Sequence, residues 1–524
     1  MWNTKRSVLL AIVLIFAMVL SACGSNNNNT SSEGTTTPTA TSGSEASAAP
    51  QSVDGVDISD EVHLKMIFVG PKPVDYDIVF TELNKKLKEK INATIEGEFL
   101  DWSDWAQKYP LKLAADEKFD LIYSANWAGY SDQALKGGFL ELTDDMIAKY
   151  MPLTEKAMSD VSWDQAKVNG KLYMIPQNSG ESVEKVILYR EDLRKKYNLP
   201  AIDSPEAFSN YLIAVSRNEK GIIPFTPESG DWKFHNLDRI LLKQQNEWNM
   251  FDLDMPFAFK LSDPKGQVFN VYETQEFKDL LVYYKNLADN NAWSKNVLNS
   301  KNDHQQDFRQ GKTAAITHNT GTTGSLMEQM RRENSEYEVA IADINPDKAK
   351  SVAISTQNGT SIHATSEHPE RAMMMIDLMQ NDKEIHDLIM YGIAGVHYEP
   401  VGDDKYKTTD KNANFTGFSN WDFNSPLNRG NESFPQEVTD MVNSWESQVY
   451  HYPLETFVFD NSKVKTEIAS VGNVMLRYGI PLEYGVIKDI DKGLEDLNKQ
   501  LKAAGLEKIQ GELQAQIDAF LAKQ

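Results

Sequence analysis

Val62-His63-Leu64-Lys65-Met66-Ile67-Phe68-Val69-Gly70-Pro71 is the stretch from which the fold can be read. Val62, Leu64, Met66 and Phe68 alternate with other residues, which is the period of a strand, and Gly70-Pro71 closes it with a turn. Val79, Leu83 and Leu87 then recur at helical spacing, and Ala93 to Leu100 predicts a second strand. A mixed helical segment, interrupted by Pro110, leads to Phe119, Leu121, Ile122 and Tyr123, a third short strand. This alternation predicts a βαβαβ unit on a largely parallel sheet, whose strand C-terminal ends border a crevice. The loops expected there are 70–76, 101–105 and 124–130.

A second unit starts at Val186-Ile187-Leu188-Tyr189, a strand followed by a helix-rich stretch. Ser204-Pro205 reads as an N-cap with proline at the first helical position. Residues 305–311 read as a helix end with a glycine stop, Thr313 to Thr317 as a strand, and 366–380 as a capped helix with Met373, Met374 and Ile376 on its apolar face. The tail carries two stripes, Ile490, Leu494, Leu497 and Leu501, then Ile509, Leu513, Ile517 and Phe520, with a break at Gly505. No internal repeat is visible.

At the other end, Lys5 and Arg6 precede an uncharged apolar run from Val8 to Leu20, then Leu20-Ser21-Ala22-Cys23-Gly24. A basic start, a run too short for a permanent span and small residues before the cysteine predict a signal peptide over 1–22. The context of Cys23 resembles the bacterial lipobox, which implies diacylation of the thiol and a membrane anchor. Cys23 is the only cysteine of 524 residues, so the fold rests on its core, ample at this length. Residues 23–55 then comprise the lipidated cysteine and a tether of Asn, Ser, Thr, Gly, Ala and Pro, with too few large apolar side chains to pack. A formal net charge of -23, more negative still without Lys5 and Arg6, offers nothing to neutralise phosphate and argues against a nucleic-acid partner.

Five segments in order, Phe119-Asp120-Leu121-Ile122-Tyr123, Gly138-Phe139-Leu140-Glu141-Leu142-Thr143-Asp144, Asn169-Gly170-Lys171-Leu172-Tyr173-Met174-Ile175-Pro176, Leu188-Tyr189-Arg190-Glu191-Asp192-Leu193 and Phe308-Arg309-Gln310-Gly311-Lys312-Thr313-Ala314-Ala315, resemble the family 1 extracellular solute-binding proteins of ABC importers, the maltodextrin-binding type. Phe457-Val458-Phe459-Asp460, Val464 to Ala469 and Leu501 to Leu506 resemble the C-terminal domain of the LipO-like lipoproteins in that family. The resemblance implies an α/β, two-lobed periplasmic-binding-protein type II fold (Venus-flytrap), with mixed sheets flanked by helices and several hinge crossings, near 177–184, 351–360 and 415–431. Lobe 1 would comprise 56–180 with 355–420, and lobe 2 would comprise 185–350 with 430–524. Gly180 suits a hinge because it tolerates the backbone change that closure needs; a simple turn accounts for it equally well.

The same resemblance implies a lipid-anchored, extracytoplasmic binding protein, monomeric and without enzymatic activity, cofactor or metal. It would capture an oligosaccharide by hinge closure and deliver it to the transmembrane subunits of a permease. A sugar presents apolar C–H faces and a rim of hydroxyls, so its site needs aromatic platforms and planar hydrogen-bonding groups. In the first lobe these are Lys72, Asp75, Trp102, Asn126, Trp127 and Gln177. Trp232, His235 and Asn319 are expected from the opposite lobe, and Asn358 and Trp421 near the later crossings. Other readings stand beside these: Trp102 as core, His235 as a hydrogen-bonded structural histidine, Lys72 and Asp75 as solvated charges. Trp105 reads as core of the following helix, and Trp163, Trp248, Trp293 and Trp445 as packing residues.

Gly311-Lys312-Thr313 looks like the end of a phosphate-binding loop, but Gln306 stands where its leading glycine belongs, so the chain is not its own ATPase. There is no His-Glu-x-x-His and no cysteine cluster. Ser216 to Pro224 is too short and too poor in acids for the calcium loop of some relatives. A glycoside hydrolase needs two facing carboxylates; Asp101, Asp104, Glu141, Asp144 and Asp145 are available, but helix starts and turns explain them. A peptide binder, or a ligand sensor for a membrane receptor, is the other alternative.

Overall fold

The structure is a computed structural model. It describes residues 52–523 except 54, 116, 181–183, 229–234, 252–254, 301–302 and 335, and of His235 only the backbone. Strands β1 (Val62–Val69), β2 (Ala93–Leu100) and β3 (Leu121–Ser124) run parallel, with β1 in the middle. The short β4 (Ile175–Pro176) ends this first pass. β5 (Lys185–Arg190), β6 (Ile223–Phe225), β7 (Thr313–Asn319) and β8 (Val339–Ala342) make a second sheet in the order β6-β7-β5-β8. The chain then returns: β9 (Gly359–Ile362) inserts antiparallel between β3 and β4, giving the first sheet the order β2-β1-β3-β9-β4.

Alternation explains β1 only in part. Leu64, Met66 and Phe68 are buried, but so are Ile67 and Val69, because helices cover both faces of the sheet. On one face, Tyr76–Ile91 packs Val79, Leu83 and Leu87 with Met373, Met375 and Met379 of helix Pro369–Asn381 into one core. On the other, Ile67, Ile122 and Tyr123 meet Tyr109, Tyr130 and Phe139. The second lobe has a larger core from Ile187 to Ile517, in which the two tail helices, Ile490–Ala503 and Leu506–Leu521, bury Leu497, Leu501, Ile509 and Leu513. Gly505 separates those helices at φ 98°, a left-handed conformation suited to glycine. Among the described residues no helix is long and apolar enough to cross a membrane.

Two local readings need correction. Pro110 does not interrupt its helix, which runs Trp105–Ala114. The carbonyl left without an i+4 donor belongs to exposed Ala106, where solvent can satisfy it. Ser366 is not the cap of its helix, which begins at Pro369 after His368. Its hydroxyl instead donates to Asp120 Oδ1 at 2.6 Å, tying the loop to the start of β3. Ser204 does cap Pro205–Asn218, accepting from the Ala207 amide at 3.3 Å.

Candidate functional site

The register fixes which strand ends border the crossing between the sheets. Gly359 pairs with both Ser124 and Pro176, so β3, β4 and β9 share one edge of the first sheet. Asn319 pairs with Lys185, where the chain enters the second sheet. Only residues 177–184 separate Pro176 from Lys185, so the strand ends at Ser124 and Asn319 both lie where the chain crosses from one sheet to the other.

Four tryptophans and a tyrosine gather on the first lobe's side. Trp102 lies in the turn after β2, Trp105 opens the next helix, Trp127 occupies the 3₁₀ turn Asn126–Ala128, and Trp421 lies in the 3₁₀ turn Asn420–Phe423. Trp102 and Trp421 stack with centroids 5.9 Å apart and 10° between planes. Trp105 meets Trp102 and Trp127 edge-on at 6.2 and 5.5 Å, and Tyr123 lies 5.9 Å from Trp127 and 6.4 Å from Trp421. Three of the four indole N–H groups are bonded within the protein: Trp102 donates to the Gly417 carbonyl at 3.1 Å, Trp127 to the Gln357 carbonyl at 2.8 Å, and Trp421 to the Tyr123 hydroxyl at 3.4 Å. Trp102 nevertheless remains 40 % exposed, so what it offers to solvent is ring surface, suited to the C–H face of a sugar.

Residues 75–385 match the model of the bacterial extracellular solute-binding proteins. The chain belongs to that family. Residues 453–522 of this solute-binding protein match a domain of unknown function, DUF3502. Over 484 residues, 90 % of the chain and 93 % of the relative, it is 23 % identical to a carbohydrate ABC transporter substrate-binding protein of Streptococcus pneumoniae. Over 159 residues, 29 % of the chain and 31 % of the relative, it is 30 % identical to the polygalacturonan/rhamnogalacturonan-binding protein YtcQ of Bacillus subtilis. In structure it is similar to the N-glycan transport solute-binding protein NgtS of Streptococcus pneumoniae, at TM-score 0.73 and 22 % identity over 88 % of this chain and 99 % of that one. NgtS has also been solved with Man1GlcNAc and with Man5GlcNAc.

Of the residues expected at the site of this solute-binding protein, the structure brings Trp102, Trp127 and Trp421 together. Asn126 is beside them, its Oδ1 accepting from the Trp127 amide at 2.7 Å. Gln177 and Asn358 are buried in the crossings: the Asn358 amide donates to Gln177 Oε1 at 3.0 Å, Asn424 donates to the same oxygen at 3.3 Å, and Tyr123 donates to Asn358 Oδ1 at 2.6 Å. Asp75 accepts from Asn414 at 3.0 Å and lies 3.2 Å from His397, which fastens the first loop to residues 397–414. Lys72 lies over the Tyr76 ring and is paired with Asp77. Asn319 caps helix Thr320–Glu333, accepting from the Thr322 amide at 2.8 Å. Trp232 and the His235 side chain lie outside the described residues. Local pattern did not identify Trp105, whose helical position suggests core, or Tyr123, whose strand is wholly buried.

A second joint between the crossings carries charge. Glu184, only 1 % exposed, accepts from the Ser351 amide at 2.7 Å and from Gln244, and its carboxylate lies 3.8 Å from the buried Lys243 ammonium. Burial by itself would raise this carboxyl, but Lys243 and these donors outweigh it and hold Glu184 down at about 2. On the second lobe's edge, burial pushes Glu228 up to about 8 against the pull of Lys185 and Arg239, and holds His304 down at about 4. The acids considered for a hydrolase have local partners: Asp101 accepts from Ser103, Asp104 pairs with Lys108, Glu141 pairs with Lys171, and Asp144 and Asp145 begin a helix capped by Thr143.

Proposed function

We propose that this chain captures an oligosaccharide between its lobes outside the cytoplasm and hands it, closed and loaded, to the transmembrane subunits of an ABC importer. The observation that carries the reading is the tryptophan cluster on the crevice edge, with the exposed Trp102 face stacked on Trp421. Ring faces with their N–H groups bonded within the protein suit the C–H surface of pyranose rings better than the amides and charges of a peptide. The glycans named for NgtS and YtcQ support the same ligand class. The chain acts as a binder and not as a hydrolase, since its nearby acids already serve caps and ion pairs. Ligand contacts made only in the closed state favour closure. Cys23, outside the described residues, anchors the protein as a diacylated N-terminus, and the protein works as a monomer.

A thermal-shift screen of mannose–GlcNAc oligosaccharides, galacturonan fragments and peptides tests the reading, since a ligand confined to the native state raises the melting temperature. A shift with a glycan and none with peptides is expected. Shifts confined to peptides would overturn it.

A further inference from the structure

We propose that Glu228, His304 and His318 form a binding site for one divalent transition-metal ion of the zinc type, at the second lobe's edge of the crevice. Each residue offers one ligand atom, and the three atoms lie within 4.8 Å of one another. They come from separate elements: the turn after β6, the first residue of helix His304–Arg309, and the penultimate residue of β7. Two imidazoles and a carboxylate are a donor set that zinc accepts, whereas calcium and magnesium require oxygen throughout.

The polar accounting points to an occupant. His304 is 9 % exposed, and its Nε2 is buried without a hydrogen-bond partner among the described residues; the same holds for Glu228 Oε2. Buried polar atoms left unpaired are costly and uncommon. One cation at ordinary zinc distances of about 2.0–2.2 Å would satisfy both, with a modest contraction of the site. The imidazole rings of His304 and His318 lie nearly parallel, 11° between planes at 5.9 Å. Asn236 supports the carboxylate by donating to Glu228 Oε1, and it also donates to the Thr317 carbonyl at 3.2 Å, an arrangement that orients a metal ligand. A cavity of 20 Å³ lined by Glu228, Thr226, Ser294 and Ser300, though by neither histidine, has room for one water near the carboxylate.

Three features oppose the ion and set the terms of binding: burial pushes Glu228 up to about 8, so at neutral pH the metal must displace a proton from its carboxyl. Lys185 acts electrostatically on both Glu228 and His318. His318 Nδ1 accepts from the Asn319 amide at 2.9 Å, so ligation either replaces that donor with the metal or moves the ring proton to Nδ1. No local motif announces the site, because its ligands are distant in sequence and meet only through the β6–β7 pairing.

The test is equilibrium dialysis of the full chain against Zn²⁺ with metal analysis, beside the variants His304→Ala, His318→Ala and their double mutant. One Zn²⁺ per chain is expected, with affinity reduced roughly 100-fold or more in each variant. Unreduced binding in the folded double mutant would overturn the proposal. Should the variants misfold, Co²⁺ added to the unaltered chain decides: visible d–d absorption with a melting-temperature rise reversed by chelator supports the site, and absence of both refutes it. Neither readout involves a sugar, so the outcome is independent of the oligosaccharide reading.

Discussion

Trp102 and Trp421, more than three hundred positions apart in the chain, stack in parallel at 5.9 Å. Neither would hold this pose alone. Trp102 is fixed by the Gly417 carbonyl, which precedes Trp421 by four positions, and Trp421 is fixed by Tyr123 on β3. The loop after β2 and the returning segment thus build one surface.

Replacing Trp102 with alanine is expected to weaken oligosaccharide affinity by roughly 1–3 kcal/mol and to lower unfolding free energy by about 1–2 kcal/mol, for the lost stack on Trp421 and the lost hydrogen bond to Gly417. Isothermal titration with the glycan found in the thermal screen measures the first, and urea unfolding the second. Unaltered affinity in a folded Trp102→Ala, Trp127→Ala double mutant would remove the cluster from the binding site.

Glu184 makes stability depend on pH in the acid range. Its folded pKa of about 2 lies below the ordinary value of 4.5, so its contribution is fully present above pH 4.5 and is lost as pH falls from there through about 2. A shift of that size corresponds to roughly 3 kcal/mol. Glu184→Gln should lower stability at neutral pH and flatten the acid limb of a plot of unfolding free energy against pH. An acid limb as steep as in the unaltered protein would show that other groups produce it.

Gly359 lies where β3, β4 and β9 converge. A Cβ there would stand 2.6 Å from the Ile175 carbonyl oxygen and 2.7 Å from Met174 Sδ, so Gly359→Ala must push strands apart. A loss of about 1–3 kcal/mol in urea unfolding is expected, with the denaturant dependence unchanged. A neutral result would mean that the edge yields freely.

Asn461, from the DUF3502 segment, donates to Asp132 Oδ1 on the first lobe at 2.6 Å, and Val458 packs against that lobe's core. Asn461→Ala should shift the lobes toward an open arrangement and reduce ligand affinity by about 0.5–1.5 kcal/mol. Small-angle scattering of the ligand-free protein reports the first effect and titration the second; identical scattering curves and affinities would assign this contact to packing alone.

The sequence made the frame legible wherever burial imposes a short period. β1 through β3, the strand at Val186, the Ser204 cap and the break at Gly505 all leave local signatures. The ring cluster was legible as residue types in loops, which singled out Trp102, Trp127 and Trp421 as candidates. Trp105, read as core, does pack against the first lobe's core, and its added contacts with Trp102 and Trp127 had no local sign. The hydrogen-bonding of Gln177 and Asn358 to each other also had no local sign, since it depends on how the crossings are laid side by side. Glu228, His304 and His318 are the extreme case: their proximity follows from tertiary packing and from no spacing rule.

Where the chain passes between the sheets, Asn358 and Asn424 both donate to the Gln177 carboxamide oxygen. Groups without net charge are little affected by ionic strength, and carboxamides have no proton to gain or lose across mild acidity. The contacts that join these crossings are thus expected to hold equally well in brine and in fresh water.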